Sequence, residues 1–163
     1  MADGRSRILI LGSFPGVQSL DSQRYYGNPF NHFWALVGVA RNSAAPPSDQ
    51  FLARCEWLLE LGIAIWDVIG ECSRPGSLDQ AIRNPHFNDI AGFLAVWPGI
   101  GRIILNGGVA ARLYDRHIAS NLAEPKPIHI RVPSSSPIPS RDFRRREDKQ
   151  PAWNAALNSE TLP

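Results

Sequence analysis

The chain has 163 residues, a formal net charge of +2 and 44% hydrophobic residues, a composition typical of a soluble globular protein. No apolar run approaches the roughly 20 residues that span a bilayer, and the N-terminus lacks a basic-then-apolar signal peptide. We therefore expect one cytoplasmic domain over residues 1–163 with no membrane partner. Two cysteines, Cys55 and Cys72, are too few for a four-thiolate cluster, and no disulfide is expected in a reducing compartment.

Four short runs along the chain predict β-strands. Residues 7–11, 62–66 and 102–105 are apolar rather than alternating, which is typical of strands that are covered on both faces. Residues 127–132 alternate between apolar and polar side chains and predict an edge strand.

Helical patterns lie between these runs. Asn28 is expected to cap a helix that Pro29 begins. Further along the chain, residues 69–76 are expected to form a loop. Periodic apolar residues predict four further helices, over 51–59, 88–96, 109–119 and 150–157. Strands that alternate with helices pair in parallel through right-handed crossovers. The predicted fold is therefore α/β, a three-layer α/β/α sandwich around a four-stranded parallel sheet.

Small and polar residues follow each predicted strand. In folds of this class, ligands bind beyond the carboxyl ends of the strands. The segments at those ends are 12–16 (GSFPG), Asp67, 106–108 (NGG) and 133–137 (PSSSP). We expect them to meet at one edge of the sheet and to form the binding site.

The loop after the first strand, residues 12–16, is too short for a Walker loop and lacks the spacing of a dinucleotide fingerprint. It can present backbone N–H groups to an oxygen-bearing ligand, or it is a plain turn between a strand and the next segment. Tyr26 lies on the following aromatic segment, where a ring can stack on a planar base; packing on the core is the alternative.

Two polar side chains are further candidates. Asn31 can hold a water or a carbonyl through its amide, or it can cap the helix locally; it has no useful basicity and cannot be a general base. Asp67 can accept hydrogen bonds from a ligand's N–H groups, or it can cap the next turn.

The stretch 133–139 (PSSSPIP) combines hydroxyls and N–H groups with an apolar Ile138. Such a loop can bind phosphates and insert a side chain into a base stack, or it can be a rigid connector. Arginines crowd the sequence after it, at 141 and 144–146; they form a solvated face or contact phosphates. The four histidines have no spacing that indicates a metal site.

Six segments together carry a resemblance to a known family. They are LGSFPGVQSL, YYGNPFNHFW, GIAIWDVIGECSRPGSLDQAI, IILNGGVAARLY, VPSSSPIPSR and the final Lys149 with Trp153. In this order and spacing, the chain resembles the uracil-DNA glycosylase superfamily, and within it the hypoxanthine-DNA (deoxyinosine) glycosylase branch. The resemblance implies a single α/β/α domain that excises a deaminated base, hypoxanthine or uracil or both, from DNA without a metal or organic cofactor. It further implies a monomer that acts on DNA in the cytoplasm, with the bacterial nucleoid.

The resemblance also implies roles for individual residues. Asn31 and Ser13 would be catalytic, and Phe14, Gly16, Tyr26 and Asp67 would bind the base. The loop inserted into DNA would comprise Ser134, Ser135, Ser136, Pro137, Ile138 and Arg141.

Two departures from the family pattern keep other functions open. The first motif has Ser13 and Phe14 where several relatives carry an Asp or Asn that handles the attacking water, so the water-activating group is not identified. The second motif reads SSSPIPSR rather than STSPAN or HPSP, and no histidine stands beside its serine-proline core. A catalytically silent DNA- or nucleotide-binding module on the same scaffold is therefore the alternative. A small-molecule nucleotide hydrolase would need a phosphate loop and metal-binding carboxylates that the sequence lacks.

Overall fold

The computed structural model describes residues 1–159. Within that range six strands are formed: β1 (Ile8–Gly12), β2 (Ile63–Asp67), β3 (Ile69–Ser73), β4 (Arg83–Phe87), β5 (Arg102–Asn106) and β6 (Ile128–Val132). Six α-helices are formed in the same range: α1 (Val17–Ser22), α2 (Phe33–Ala40), α3 (Phe51–Glu60), α4 (Ile90–Val96), α5 (Gly108–His117) and α6 (Arg146–Asn158). No helix within it is long and apolar enough to cross a membrane.

A parallel sheet in the order β2-β1-β5-β6 forms the centre of the molecule, and the predicted three-layer α/β/α architecture is confirmed. The strands start level with one another, because Ile8 pairs with both Ile63 and Arg102, and Arg102 pairs with Ile128. Their carboxyl ends are therefore level as well. This register places the four segments that follow the strands side by side.

The two faces of the sheet are packed on different helices. Ile8 and Ile10 point to the side that α2, α3 and α6 cover, whereas Leu9 and Leu11 point to the side that α4 and α5 cover. All five residues of β1 and of β5 are buried, as the apolar residues that make up β1 and the centre of β5 predict. The alternating β6 lies at an edge of the sheet, as predicted.

A second, two-stranded sheet corrects the prediction of a loop over residues 69–76. The antiparallel strands β3 and β4 form it, and irregular pairing interrupts their ladder between Ile69 and Ser73. Most of these residues are exposed, so no run of apolar side chains marks them as strands. The hairpin matters because the loop at its tip returns to the end of β1.

The start of α2 corrects a second prediction. The helix begins at Phe33 rather than at Pro29, because the Asn28 side chain accepts a hydrogen bond of 2.9 Å from the Phe30 amide and closes a local turn instead. Asn31 consequently lies before the helix and not inside its first turn. The segment between β1 and this turn also contains the short helix α1, which the sequence pattern did not indicate.

Two arginines hold the far end of the molecule. The carboxyl end of α6 receives hydrogen bonds from Arg41 to the Leu157 carbonyl (3.0 Å) and from Arg102 to the Ala156 carbonyl (3.3 Å). Cations there satisfy carbonyl groups that the helix itself leaves unpaired. A hollow of about 260 Å³ lies beside these two arginines. We assign the arginines there to the support of the helix end rather than to ligand binding.

Candidate active site

A cavity of about 700 Å³ lies at the carboxyl end of the parallel sheet. The segments that follow β1, β2, β5 and β6 all line it, as the strand order predicts. Ser13, Phe14, Gly16, Tyr26, Asn31, Asp67, Ser134, Ser135, Ser136, Pro137 and Ile138 are among its lining residues; of the candidates proposed from the sequence, only Arg141 is outside this set.

Asp67 is placed deep in this cavity by its pairing with β1. It lies opposite Gly12 in the sheet register, and a Cβ at position 12 would clash with its carboxyl oxygen, so a larger residue there would displace the Asp67 side chain. The residue is only 8% exposed, and burial raises the pKa of its carboxyl group to about 7. Two nearby amides, of Val68 and Ile69, bond to carbonyls of the first loop instead, so Asp67 does not cap the next turn.

The carboxyl oxygens of Asp67 receive no hydrogen bond from any residue in the range 1–159. Asn88 donates to the backbone carbonyl of Asp67 at 2.9 Å, which holds the main chain but leaves the carboxyl group to the cavity. A buried polar group of this kind is normally paired, and its position inside a cavity makes a bound ligand the natural partner.

Tyr26 stands on the side of the cavity formed by α2. Its ring stacks on Phe33 with a centroid distance of 3.7 Å and an interplanar angle of 12°. Its hydroxyl accepts a hydrogen bond of 3.1 Å from the Asn106 amide, and burial raises its pKa. The backbone of Tyr26 has a φ of +51°, an uncommon conformation for a bulky residue. The ring is therefore held firmly, with Phe33 behind it, at the cavity wall.

The Asn31 side chain caps the start of α2, which is one of the two roles that the sequence left open. Its Oδ1 accepts a hydrogen bond of 3.0 Å from the Phe33 amide and so satisfies a free N–H group at the start of α2. Its Nδ2 has no acceptor within residues 1–159, and the residue lines the cavity. The amide group is thus oriented by its oxygen and offers its nitrogen to a ligand.

The second loop, residues 133–138, is fixed to the sheet through Asn106. The amide of this residue donates to the Ser135 hydroxyl (2.9 Å) and accepts from the Ser135 N–H (2.8 Å). Next to it, Gly107 has a φ of +98°, and a Cβ there would lie 2.9 Å from Cβ of Ser134. Ser135 is 1% exposed, so its hydroxyl holds the loop and is not displayed at the surface, in contrast to the expectation for a DNA-contacting residue.

Helix α6 fixes the same loop from the other side. Lys149 donates a hydrogen bond of 2.6 Å to the Ser136 carbonyl and lies 3.3 Å from Nδ1 of His32. The Trp153 indole donates to the Pro133 carbonyl at 3.0 Å. Burial lowers the pKa of the Lys149 ammonium group. The loop therefore has a fixed backbone, although its tip is at the surface.

The exposed part of the second loop faces outward at the cavity mouth. Ile138 is 56% exposed, and its amide donates to the Ser136 hydroxyl at 3.3 Å, while the Ser136 amide donates to the Ser134 hydroxyl at 3.2 Å. Arg141 follows and is exposed. An apolar side chain held on an ordered loop beside basic residues is suited to insertion into a nucleic-acid duplex.

Two site residues, Asp79 and Arg74, were missed by the sequence reasoning. Asp79 lies in the short 3₁₀ helix after β3, and the Ser13 hydroxyl is 2.9 Å from both of its carboxyl oxygens, which share the one hydroxyl proton. Arg74 lies 3.8 Å from the same carboxylate, stacks over the Phe14 ring at 4.9 Å and donates to the Pro15 carbonyl. Burial raises the pKa of Asp79, while Ser13 and Arg74 act against that shift. The motif GSLDQAI is the one sequence signal that included Asp79. Hydrophobic periodicity could not predict where this residue lies in the fold.

No group of three or more metal-ligating side chains (His, Cys, Asp, Glu) occurs within residues 1–159. The cavity is lined by two carboxyl groups, of Asp67 and Asp79, by side-chain amides and hydroxyls, and by the aromatic rings of Phe14, Tyr25 and Tyr26.

Comparisons with known proteins give two curated relatives. The chain is 35% identical over 155 residues to a protein of Methanosarcina acetivorans named "Hypoxanthine DNA glycosylase", covering 95% of this chain and 92% of that protein. It is 33% identical over 105 residues to a Methanosarcina barkeri protein of the same name, covering 64% of this chain and 66% of that protein. No family model matches the chain.

A solved structure is also similar to this fold. It is the solution NMR structure of a protein from Methanosarcina acetivorans described as a "putative Uracil DNA glycosylase". The superposition has a TM-score of 0.77 with 31% sequence identity and covers 96% of this chain and 91% of that one.

Proposed function

The chain belongs to the hypoxanthine DNA glycosylase family, within the uracil-DNA glycosylase superfamily, and on that premise we propose that it hydrolyses the N-glycosidic bond of a deaminated base in DNA. Hypoxanthine is proposed as the preferred base, and uracil is the second candidate. The protein is proposed to act on DNA as a monomer and to be associated with the bacterial nucleoid. The observation that carries this proposal is the cavity that Asp67, Asn31 and Tyr26 line together at the carboxyl end of the sheet.

The cavity volume of about 700 Å³ falls within the roughly 300–1,000 Å³ of small-molecule sites. A base inside a duplex cannot reach it, so the nucleotide must be rotated out of the stack at a free-energy cost of a few kcal/mol. Ile138 on the second loop is suited to fill the space that the base leaves, and the arginines beyond it are suited to contact phosphates.

Recognition of the base is assigned to Asp67. Hypoxanthine and uracil both present a carbonyl next to a ring N–H. A protonated carboxyl group can donate to that carbonyl and accept from that N–H at once. With a pKa of about 7, Asp67 is protonated in a substantial fraction of molecules at neutral pH, which supports this role.

Departure of the base is assigned to Asn31 and the first loop. As the bond from the sugar breaks, negative charge develops on the base, and donors fixed in advance stabilise it. The Nδ2 of Asn31 is held in place by the bond from the Phe33 amide to its Oδ1. The first loop lines the same cavity, and its backbone N–H groups, which Pro15 lacks, are proposed as further donors. Tyr26 is proposed to stack on the base.

The reaction is proposed to be hydrolysis without a covalent enzyme intermediate. A glycosylase that also cleaves the strand uses an amine as nucleophile, and the chain has only two lysines, Lys126 and Lys149. Neither of them lines the cavity.

A panel of oligonucleotides with a single inosine, uracil or xanthine, in single and double strands, tests the proposal. After incubation with excess protein, alkali converts each abasic site into a strand break that a denaturing gel resolves. We expect breaks at inosine first and uracil second, and none in unmodified DNA. Tight binding with every oligonucleotide left intact would instead support a silent DNA-binding module.

A further inference from the structure

The proposed hydrolysis needs a group that receives a proton from the attacking water. The Asn31 amide has no basicity, and its oxygen is already engaged with the Phe33 N–H. Of the residues lining the cavity, the carboxyl groups belong to Asp67 and Asp79. Asp67 lies at the buried end of the cavity, where its assigned partner is the base edge. This leaves Asp79 to act on water.

Two neighbours of Asp79 stabilise its charged form and oppose the burial that raises the pKa of its carboxyl group. The Ser13 hydroxyl donates to the carboxylate at 2.9 Å, and the Arg74 guanidinium lies 3.8 Å away. The Arg74 side chain is only 2% exposed, whereas the Asp79 side chain is 33% exposed. The buried Arg74 cation therefore stabilises the negative charge of Asp79, while the carboxylate itself remains partly exposed and lines the cavity.

The surroundings of Asp67 differ, because no hydrogen bond from residues 1–159 reaches its carboxyl group. Two carboxyl groups in one cavity with such different environments are suited to different tasks, as in enzymes that hydrolyse glycosidic bonds. The charged one can stabilise a cationic sugar and accept a proton, and the neutral one can donate a hydrogen bond.

We propose that Asp79 is the catalytic carboxylate that activates water, an inference that rests on the proposed function. The bond between C1′ of the sugar and the base nitrogen breaks, and its electron pair leaves with the base. A bond forms between the water oxygen and C1′, and the water proton passes to a carboxylate oxygen of Asp79. That proton is later returned to the released base or to solvent. While the sugar carries positive charge, the Asp79 carboxylate lies opposite it.

Asp79→Asn tests this role, with Asp115→Asn on the exposed side of α5 as the matched control. General-base catalysis contributes about 10²- to 10⁴-fold, so we expect a drop of at least about a hundredfold in the single-turnover rate of base release. Affinity for the inosine oligonucleotide should change little. An unchanged rate in Asp79→Asn would overturn the proposal.

A second measurement separates catalysis from a purely structural role in holding the hairpin against Ser13. Binding is compared for DNA carrying a cationic pyrrolidine in place of the sugar and DNA carrying a neutral tetrahydrofuran. Wild type should prefer the cationic analogue, and Asp79→Asn should lose that preference while it still binds the neutral one. Equal loss of both affinities would mean a structural role and would overturn the proposal.

A third measurement uses azide, an anionic nucleophile that needs no proton acceptor. Azide should raise the rate of Asp79→Ala and yield an azido sugar, and should leave the wild-type rate unchanged. Failure of azide to restore any activity to a folded Asp79→Ala protein would count against the assignment. Failure of the proposed function itself would be seen differently, in wild type that leaves all substrates intact.

Discussion

Lys149 and Ser136 connect the last helix to the second loop: the lysine ammonium group donates a hydrogen bond of 2.6 Å to the serine carbonyl. The lysine is 2% exposed, and its other close partner is the His32 ring at 3.3 Å. A charge buried in this way is costly unless it is hydrogen-bonded. The contact therefore serves to hold the loop, and with it Ile138, at the cavity mouth.

Lys149→Met keeps most of the volume of the side chain at position 149. It should make the second loop less firmly held. It leaves the half-buried Ser136 carbonyl without its charged donor, and a hydrogen bond of this kind contributes about 1.5–3 kcal/mol. We expect base release and affinity for duplex DNA to fall together by about tenfold, measured by single-turnover assay and fluorescence anisotropy. Lys126→Met is the control, because Lys126 is exposed and paired with Glu124 at 3.5 Å. Equal behaviour of the two variants would contradict the role of Lys149.

Asn31→Ala should lower base release by at least tenfold and leave duplex binding largely intact. Because this change also removes the acceptor of the Phe33 N–H, it should cost about 1 kcal/mol of stability. Asn31→Ser separates the two effects, since its hydroxyl can still cap α2 but cannot donate from the position of Nδ2. We expect Asn31→Ser to be as inactive as Asn31→Ala yet close to wild type in thermal unfolding. Unchanged turnover in both variants would remove Asn31 from the mechanism.

Asp67 should make the stability of the protein depend on pH. Its pKa is about 7 in the folded protein against 3.8 in the reference state, so the folded protein binds the proton more tightly than the unfolded chain does. The resulting stabilisation is complete below about pH 4 and is lost as the pH rises to about 7. Relative to Asp67→Asn, the wild-type free energy of unfolding should therefore decrease from pH 4 to pH 7 and be constant above it. Urea unfolding at several pH values measures this, and a difference that increases with pH would contradict the burial of Asp67.

Tyr26→Ala should weaken the binding of the extruded base. Stacking on an aromatic ring contributes about 1–3 kcal/mol per base, so we expect the affinity for inosine-containing single strands to fall by roughly 5- to 150-fold. Tyr26→Phe keeps the ring against Phe33 and loses only the bond from Asn106, which retains the Ser135 hydroxyl at 2.9 Å. Phe at this position should therefore behave almost as wild type. Similar losses in both variants would show that the hydroxyl, not the ring, matters.

Ile138→Ala should affect the extrusion of the base rather than the chemistry. We expect a slower release of hypoxanthine from duplex DNA and an almost unchanged release from a single strand, where no stack has to be opened. Leu52→Ala is the control, because Leu52 is 83% exposed on α3 and does not line the cavity. If the Ile138 variant loses activity equally on both substrates, insertion into the stack is not its role.

The sequence alone determined the sheet and the edge of it at which the cavity lies. The strands β1, β2 and β5 are buried runs of apolar residues, and their alternation with helices leaves parallel pairing as the arrangement. Because parallel strands end at the same edge, Asp67 and the loops after β1, β5 and β6 were predicted to meet there, and all of them line one cavity.

Only the tertiary structure decided which polar groups are engaged and which are free. The β3–β4 hairpin has little apolar surface and no periodic signal, yet it brings Asp79 to Ser13 across 66 positions of sequence. In the same way, the hydroxyl of Ser135 is engaged by Asn106, and Lys149 reaches the loop from α6. Periodicity records which face of an element is buried. It carries no information about hydrogen bonds between distant loops, since these depend on where the packed elements bring the chain.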